Sequence, residues 1–222
     1  MADNGGFSGD FSLTDEIANI IRKRIINGEY KIGEKIKESQ IAAELKVSRT
    51  PIREAFKMLE EEDLIDYYPY RGCFAKGFTK EDIADVYAVR KALEVLAIEW
   101  AVDKINDEGL SELKEQCDLM EFYATRGERQ KVLDMNNDFH EIIYKATGSR
   151  FLVQALRSYK SYINRSKKML YFDDKYLSEI LSEHRKIIEA LKMKDKNMAA
   201  DAISTHLEHS QKRAEKIWHV DE

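Results

Sequence analysis

The sequence predicts a mostly helical protein in two parts: a winged helix-turn-helix of three helices plus a β-hairpin, then an all-helical antiparallel bundle of about six helices. Three observations carry this. Only 2 Pro and 10 Gly interrupt 222 residues rich in Glu, Lys, Leu, Ala and Ile, so little breaks long helices. Apolar residues recur at helical spacing along most of the chain. Tyr-rich, β-prone arms around a Pro occur at one place, between Leu64 and Lys76.

Charge and composition exclude several classes. The chain carries 36 Lys+Arg against 41 Asp+Glu, a formal charge of −5, with 43% hydrophobic residues, which is wrong for a disordered chain, a collagen or a disulfide scaffold. No stretch reaches the roughly 18 apolar residues of a spanning helix, so no membrane association is expected. Met1 to Phe11 lack the basic start and apolar run of a signal peptide and are expected to form a disordered tail, with the protein in the cytoplasm. Cys73 and Cys117 have no paired spacing and are expected as reduced thiols without chemistry.

The first helix runs from Leu13 to Ile26, with Leu13, Ile17, Ile20, Ile21 and Ile25 on one stripe and Asn27-Gly28 ending it. A short second helix covers Ser39 to Leu45, buried through Ile41, Ala42 and Leu45. In the third, Ile52, Ala55, Phe56 and Leu59 form the buried stripe, leaving Arg49, Thr50, Arg53 and Lys57 toward the other side. Ser48 or Thr50 is placed to cap it, Pro51 fits its first turn, and Asp63 follows its last turn as a tolerated left-handed residue. Leu64–Tyr68 and Gly72–Lys76 then form the hairpin arms. The stretch IGEKIKESQIAAELKVSRTPIREAFKMLEEEDLI, Ile32 to Ile65, with its core VSRTPIREAF, resembles the GntR family of bacterial transcription regulators. The chain departs from that pattern at Ile32, where Pro usually precedes the Gly, and at Asp63, where Gly is usual.

Reading DNA requires groups that reach base edges and groups that fix the backbone, and a helix entering the major groove by its first turns supplies both. Arg49 and Arg53, four residues apart, share one helix face and are the pair expected to contact bases. Ser48 and Thr50 can donate to phosphates. The resemblance implies the same four residues as recognition-helix contacts, and adds Arg71 and Gly72 as the wing tip approaching the minor groove; Ser39 stands where some members carry another Arg. Residues 12–79 hold 12 Lys+Arg and 12 Asp+Glu, so the basic groups must be spatially sorted, with Glu60, Glu61, Glu62 and Asp63 at the far end of the third helix.

After Phe78, which closes the first domain (12–78), six amphipathic segments are expected in a second domain (79–222): 80–103, 107–126, 129–147, 149–170, 174–193 and 195–218. The blocks DVYAVRKALEVLAIEWAV, FHEIIYKATGS and SEHRKIIEAL resemble the FCD effector domain of the FadR-type GntR branch, on its six-helix, VanR-like side. His140, His184 and His206 each fall on the inner stripe of a different helix. One such His is usually a satisfied core residue, whereas three converging imidazoles suit a divalent transition metal such as zinc or nickel. Asn136, four before His140, shares its face and can add Oδ1 as a fourth ligand. The resemblance implies the same set, since FCD domains hold a metal by an Asp or Asn and three His; Asn in place of the commoner Asp implies a weaker site. Asp138 faces elsewhere, His209 could replace a ligand only if its helix were rotated, and His219 is expected in solvent.

Such a set leaves open coordination positions, which suit water activation in an enzyme or a carboxylate in a sensor. No HExxH, nucleophile elbow, P-loop or dinucleotide fingerprint occurs, so the sensor is preferred and no enzyme activity is expected. Arg90 lies beside a stripe read as Val86, Val89, Leu93, Leu96 and Ala97, and either pairs with a small organic acid or forms a surface salt bridge to Glu94. Arg165 is a weaker ligand-binding candidate. The expected function is a homodimeric DNA-binding regulator, in the sense of a repressor, on a palindromic operator, controlled by an acid or metal through a population shift. Two alternatives are a helical metalloenzyme carrying a DNA-binding module and a metal-independent architectural DNA binder.

Overall fold

The computed structural model describes residues 12–68, 70–77, 79–159, 162 and 174–218. Among these the chain is mostly helical, with nine helices and one small sheet, and it divides into two compact units between Thr79 and Lys80. The tail before Ser12, the proposed boundary residue Phe78, His219, Arg165 and most of the second half of the expected 149–170 helix lie outside the described residues.

In the first unit, α1 (Leu13–Ile26) starts at a reciprocal cap. The Ser12 side chain accepts from the Asp15 N–H and the Asp15 carboxylate accepts from the Ser12 N–H. Ile17, Ile21 and Ile25 are fully buried against α3 (Arg49–Glu61), whose Ile52, Ala55, Phe56 and Leu59 form the facing stripe. The shorter α2 (Glu38–Leu45) buries Ile41 alone; Ala42 and Leu45 are only half-buried. Lys46 turns the chain in the left-handed region, φ 55°, between α2 and α3. Asp63 does the same after α3, φ 58°, a conformation a short polar side chain tolerates. Ser48 occupies the N-cap position of α3 without a capping bond from its side chain.

Two expected strands become three. Beside β2 (Ile65–Tyr68) and β3 (Gly72–Ala75), the two-residue β1 (Lys35–Ile36) pairs antiparallel with β3, in the order β1-β3-β2. Two residues carry no alternation to read, so only burial of Ile36 betrays this strand. At the hairpin tip Tyr70 (φ 64°) is fully exposed, and Gly72 takes φ 102°, which L side chains rarely adopt.

The second unit contains α4 (Lys80–Lys104), α5 (Asp107–Thr125), α6 (Arg129–Ala146), α7 (Arg150–Ser158), α8 (Asp174–Met193) and α9 (Lys196–Trp218). α4 packs on α9, α6 and α7; α5 packs on α6 and α8; α8 packs on α9. Ile98, Leu113, Met120, Phe139, Ile187 and Ile203 lie in one continuous core. The expected stripe of α4 is corrected here. Its buried face carries Ile83, Tyr87, Arg90, Glu94, Ala97 and Ile98, while Val89 and Leu96 are exposed. Apolar residues surround this helix, so periodicity alone could not choose the inward face.

Candidate functional site

Three helices bring the histidines together. His140 on α6, His184 on α8 and His206 on α9 are buried, and each offers a ring nitrogen within 4.8 Å of the others. The Phe139 ring lies flat on His184, with centroids 4.0 Å apart and 8° between planes, which fixes that imidazole's tilt. His140 Nε2 and His206 Nε2 face each other at 3.3 Å. Their opposite nitrogens meet carboxylates: His140 Nδ1 is 2.9 Å from Glu94 Oε2, and His206 Nδ1 is 2.8 Å from Glu183 Oε2.

Electrostatics decide where the protons sit. Burial pushes His140 down to about 4, against the pull of Glu94, and lowers His206 against that of Glu183. Despite burial, the Arg90 charge and His140 hold Glu94 well below the usual carboxylate range. Burial likewise opposes ionisation of Glu183, yet His206, His209 and Arg213 hold it down to about 2. In the tautomer that donates Nδ1–H to these carboxylates, the two Nε2 atoms face each other as free ligating nitrogens. Bonds of roughly 2.0–2.1 Å to one ion, roughly 90–109° apart, separate two nitrogens by about 2.9–3.4 Å, so the observed spacing fits two ligands of a transition metal. Carboxylates behind ligating histidines are also the usual means of fixing their tautomer.

The other expected residues sort clearly. Asn136 is buried one turn before His140 and lines a cavity of about 20 Å³ together with His206 and Arg90, room for about one water. Arg90 is not on the surface. It is 4% exposed, its Nε lies 2.5 Å from Glu94 Oε1, and its Nη1 has no hydrogen-bond partner among the described residues. The salt bridge to Glu94 therefore exists, but as a buried pair that continues into His140, and the surface version is corrected. His209 stays outside the histidine group, half exposed, with Nδ1 2.6 Å from Glu183 Oε1. Asp138 is exposed.

In the first unit, Ser48, Arg49, Thr50 and Arg53 are all exposed at the start of α3, and Arg71 is exposed at the hairpin tip beside Gly72. Arg53 is not free: its Nε lies 3.0 Å from Glu38 Oε2 on α2, with more than half of its side chain in solvent. A helix presenting two arginines with two hydroxyls, and a separate basic hairpin tip, can contact DNA bases and backbone.

Sequence reasoning missed Glu183, Ser210, Tyr176 and Arg213, and treated Glu94 only as a partner of Arg90. Glu183 precedes His184 in sequence but serves His206, a long-range pairing that no local pattern announces. Ser210, four after His206, shares its helix face and meets the Tyr87 hydroxyl at 3.2 Å; that spacing was a readable signal.

Comparisons with known proteins converge. Residues 13–74 match the bacterial regulatory proteins of the gntR family, and residues 85–209 match the FCD domain. The chain is 33% identical to the HTH-type transcriptional regulator YdhC of Bacillus subtilis, over 91% of this chain and 89% of that protein. It is 30% identical to the gluconate operon transcriptional repressor of the same organism, over 91% and 85%. Among solved structures, E. coli McbR/YncC superposes with a TM-score of 0.72 at 20% identity, covering 96% of this chain and all of that one, a likeness of fold. A GntR regulator from Rhodococcus sp. RHA1 matches at 26% identity with a TM-score of 0.61, over 90% of this chain and 96% of that one. These relatives are regulators rather than enzymes, and no helix among the described residues is long and apolar enough to cross a membrane. With a winged helix ahead of a histidine-centred helical bundle, the chain belongs to the GntR family of bacterial transcription regulators, in the branch that carries an FCD domain.

Proposed function

We propose that this regulator acts in the cytoplasm as a homodimer, binds a two-fold DNA operator in the sense of a repressor, and responds to a divalent transition metal and a small organic acid held in the helical unit. One observation carries the reading: two buried Nε2 atoms 3.3 Å apart, each on a ring whose Nδ1 is fixed by a buried carboxylate, with His184 alongside. His140, His184 and His206 would hold the ion, with Asn136 Oδ1 as the oxygen donor. Zinc or nickel suits an imidazole-rich set. When bound, the ion supplies open coordination positions for an oxygen of the acid. Arg90 orients that acid through its unpaired Nη1, and Glu94 and Glu183 accept Nδ1–H of His140 and His206, which leaves each Nε2 as the ligating nitrogen.

These groups lie on α4, α6, α8 and α9, so a ligand at their centre favours one arrangement of those helices over others. DNA contact is assigned to Ser48, Arg49, Thr50 and Arg53, with Arg71 and Gly72 at the wing. Repression is supported by the gluconate operon repressor among the relatives. Dimerisation is supported by the exposed Val89, Leu96 and Trp100, which repeat along one side of α4.

The test uses the full-length protein and an operator obtained by selection from random duplexes. Protein stripped with a chelator and then reloaded with zinc or nickel is titrated on that operator, with sedimentation run in parallel. The expected result is a dimer whose operator affinity changes between stripped and loaded forms. Identical affinity in both forms, with no bound metal by elemental analysis, overturns the metal-responsive reading.

A further inference from the structure

Two guanidinium groups, not one, line the small cavity beside the histidines, that of Arg90 buried and that of Arg213 partly so. Arg213 on α9 joins Arg90, Asn136 and His206 in its wall. Its side chain is 11% exposed, and its Nε is buried without a hydrogen-bond partner among the described residues. Its guanidinium hydrogen-bonds the Tyr176 hydroxyl, but its hold on Glu183 is loose. The two Nη atoms reach Glu183 at 3.4 and 3.5 Å, long for hydrogen bonds, and the guanidinium lies 4.6 Å from the centre of the Tyr176 ring. A buried charged donor left unpaired costs free energy, and two such donors facing one cavity are unusual in a finished core. Arg213 also lines the open groove between α8 and α9, where Lys186, Lys212 and Lys216 lie, so its side chain stands between solvent and the cavity.

We infer that Arg213 is a second ligand-binding and specificity-determining residue: the carboxylate of a small acid is held between Arg90 Nη1 and the Arg213 guanidinium, with Arg213 turning away from Glu183 to receive it. This rests on the carboxylate-responsive reading above. Glu183 does not depend on Arg213 for its place, because His206 and His209 hold its two oxygens at 2.8 and 2.6 Å. The cavity of about 20 Å³ is too small for an organic acid as it stands, so the acid enters only with a rearrangement of its wall, and Arg213, held by Glu183 only at long range, is the wall residue that turns.

The test is direct binding, without DNA. Zinc-loaded full-length protein, Arg213→Gln and Arg213→Lys are melted in millimolar acetate, lactate, succinate, malate, citrate and gluconate, and bound zinc is measured for each. The expected result is that at least one acid raises the wild-type melting temperature, that Arg213→Gln weakens that acid by at least about tenfold, as losing a charge-assisted contact should, and that zinc content is unchanged. Arg213→Lys, which keeps the charge but not the fork, is expected to fall between the two and guards against misfolding of the Gln variant. The inference is overturned if no acid shifts the wild-type protein, if Arg213→Gln binds the acid as tightly as wild type, or if both variants lose zinc along with the acid. The last outcome would make Arg213 a support for Glu183 only. None of these outcomes touches metal-dependent operator binding, which its own titration decides.

Discussion

Replacing Glu94 by Gln removes one charge from a buried chain, Arg90–Glu94–His140, without changing its shape. Both carboxylate oxygens are engaged, Oε1 by Arg90 at 2.5 Å and Oε2 by His140 at 2.9 Å, and the Glu94 and Arg90 side chains are 1% and 4% exposed. Removing one partner of such a pair leaves an uncompensated buried charge, worth about 3–5 kcal/mol. At roughly 2–4 °C per kcal/mol, the melting temperature should fall by about 6–20 °C. A second effect follows from the amide's asymmetry. If its oxygen stays on Arg90, its NH₂ meets His140 Nδ1, which must then accept, moving the ring proton to the Nε2 that faces His206. Metal affinity should therefore fall by about 10–100-fold or more. Calorimetric melts of the stripped protein give the first quantity, and zinc competition against a chromophoric chelator gives the second. The double variant Arg90→Met, Glu94→Leu separates them: with both charges gone, stability should return most of the way, while zinc affinity stays low because His140 has lost its acceptor. Glu94→Gln melting within about 1 kcal/mol of wild type, or a double variant that binds zinc normally, would refute the reasoning.

Two other outcomes are accessible. Arg53→Ala should weaken the selected operator by about 1–3 kcal/mol and blur base choice at one position, whereas Glu38→Ala should alter stability by no more than about 1 kcal/mol, because its partner Arg53 has more than half of its side chain in solvent; a mobility-shift titration and a denaturant melt check both. Burial pushes the Cys73 and Cys117 thiols up to about 12, so their protonated form is favoured by folding: that contribution is whole below the ordinary thiol value near 9 and is lost as pH rises toward 12. Both thiols should react slowly with an aromatic disulfide reagent in the native protein and fast in denaturant, with stability declining above pH 9; fast native labelling would contradict their burial.

The recognition helix was legible because its pattern is local. In α3 the apolar residues fall on one side and the arginines on the other, so burial of Ile52, Ala55, Phe56 and Leu59 leaves Arg49 and Arg53 outside by geometry alone. The three histidines were legible for the same reason, each on the inner stripe of its own helix. In α4 the pattern is not one-sided, and the inward face there includes the polar pair Arg90 and Glu94, which hydrophobic periodicity assigns to solvent. Strand β1 is too short to carry a signal, and its pairing with β3 depends on a partner almost forty residues away. Glu183 and Arg213 escaped because their roles are defined by His206 and the cavity, through contacts across two helices that neighbouring residues do not encode.

The buried polar centre of the helical unit argues against a purely structural role. Arg90, Glu94, Asn136, His140, Glu183, His184, His206 and Ser210 are all buried within a unit whose core cluster is apolar. Desolvating paired charges gains little net stability, and apolar residues of similar volume are often as good or better, so a bundle needing only to fold would gain nothing from this arrangement. Stability does not explain facing Nε2 lone pairs or guanidinium nitrogens without partners either, since each is a cost that folding alone leaves uncompensated. A cation placed among the rings removes the first cost, and an anion between the guanidiniums removes the second. Binding then stabilises the bundle by mass action, about 2.7 kcal/mol at a ligand concentration a hundred times its dissociation constant. On the proposed reading, the stability of such a unit would track its ligands, which is the property a regulator needs if its DNA-binding unit is to respond to them.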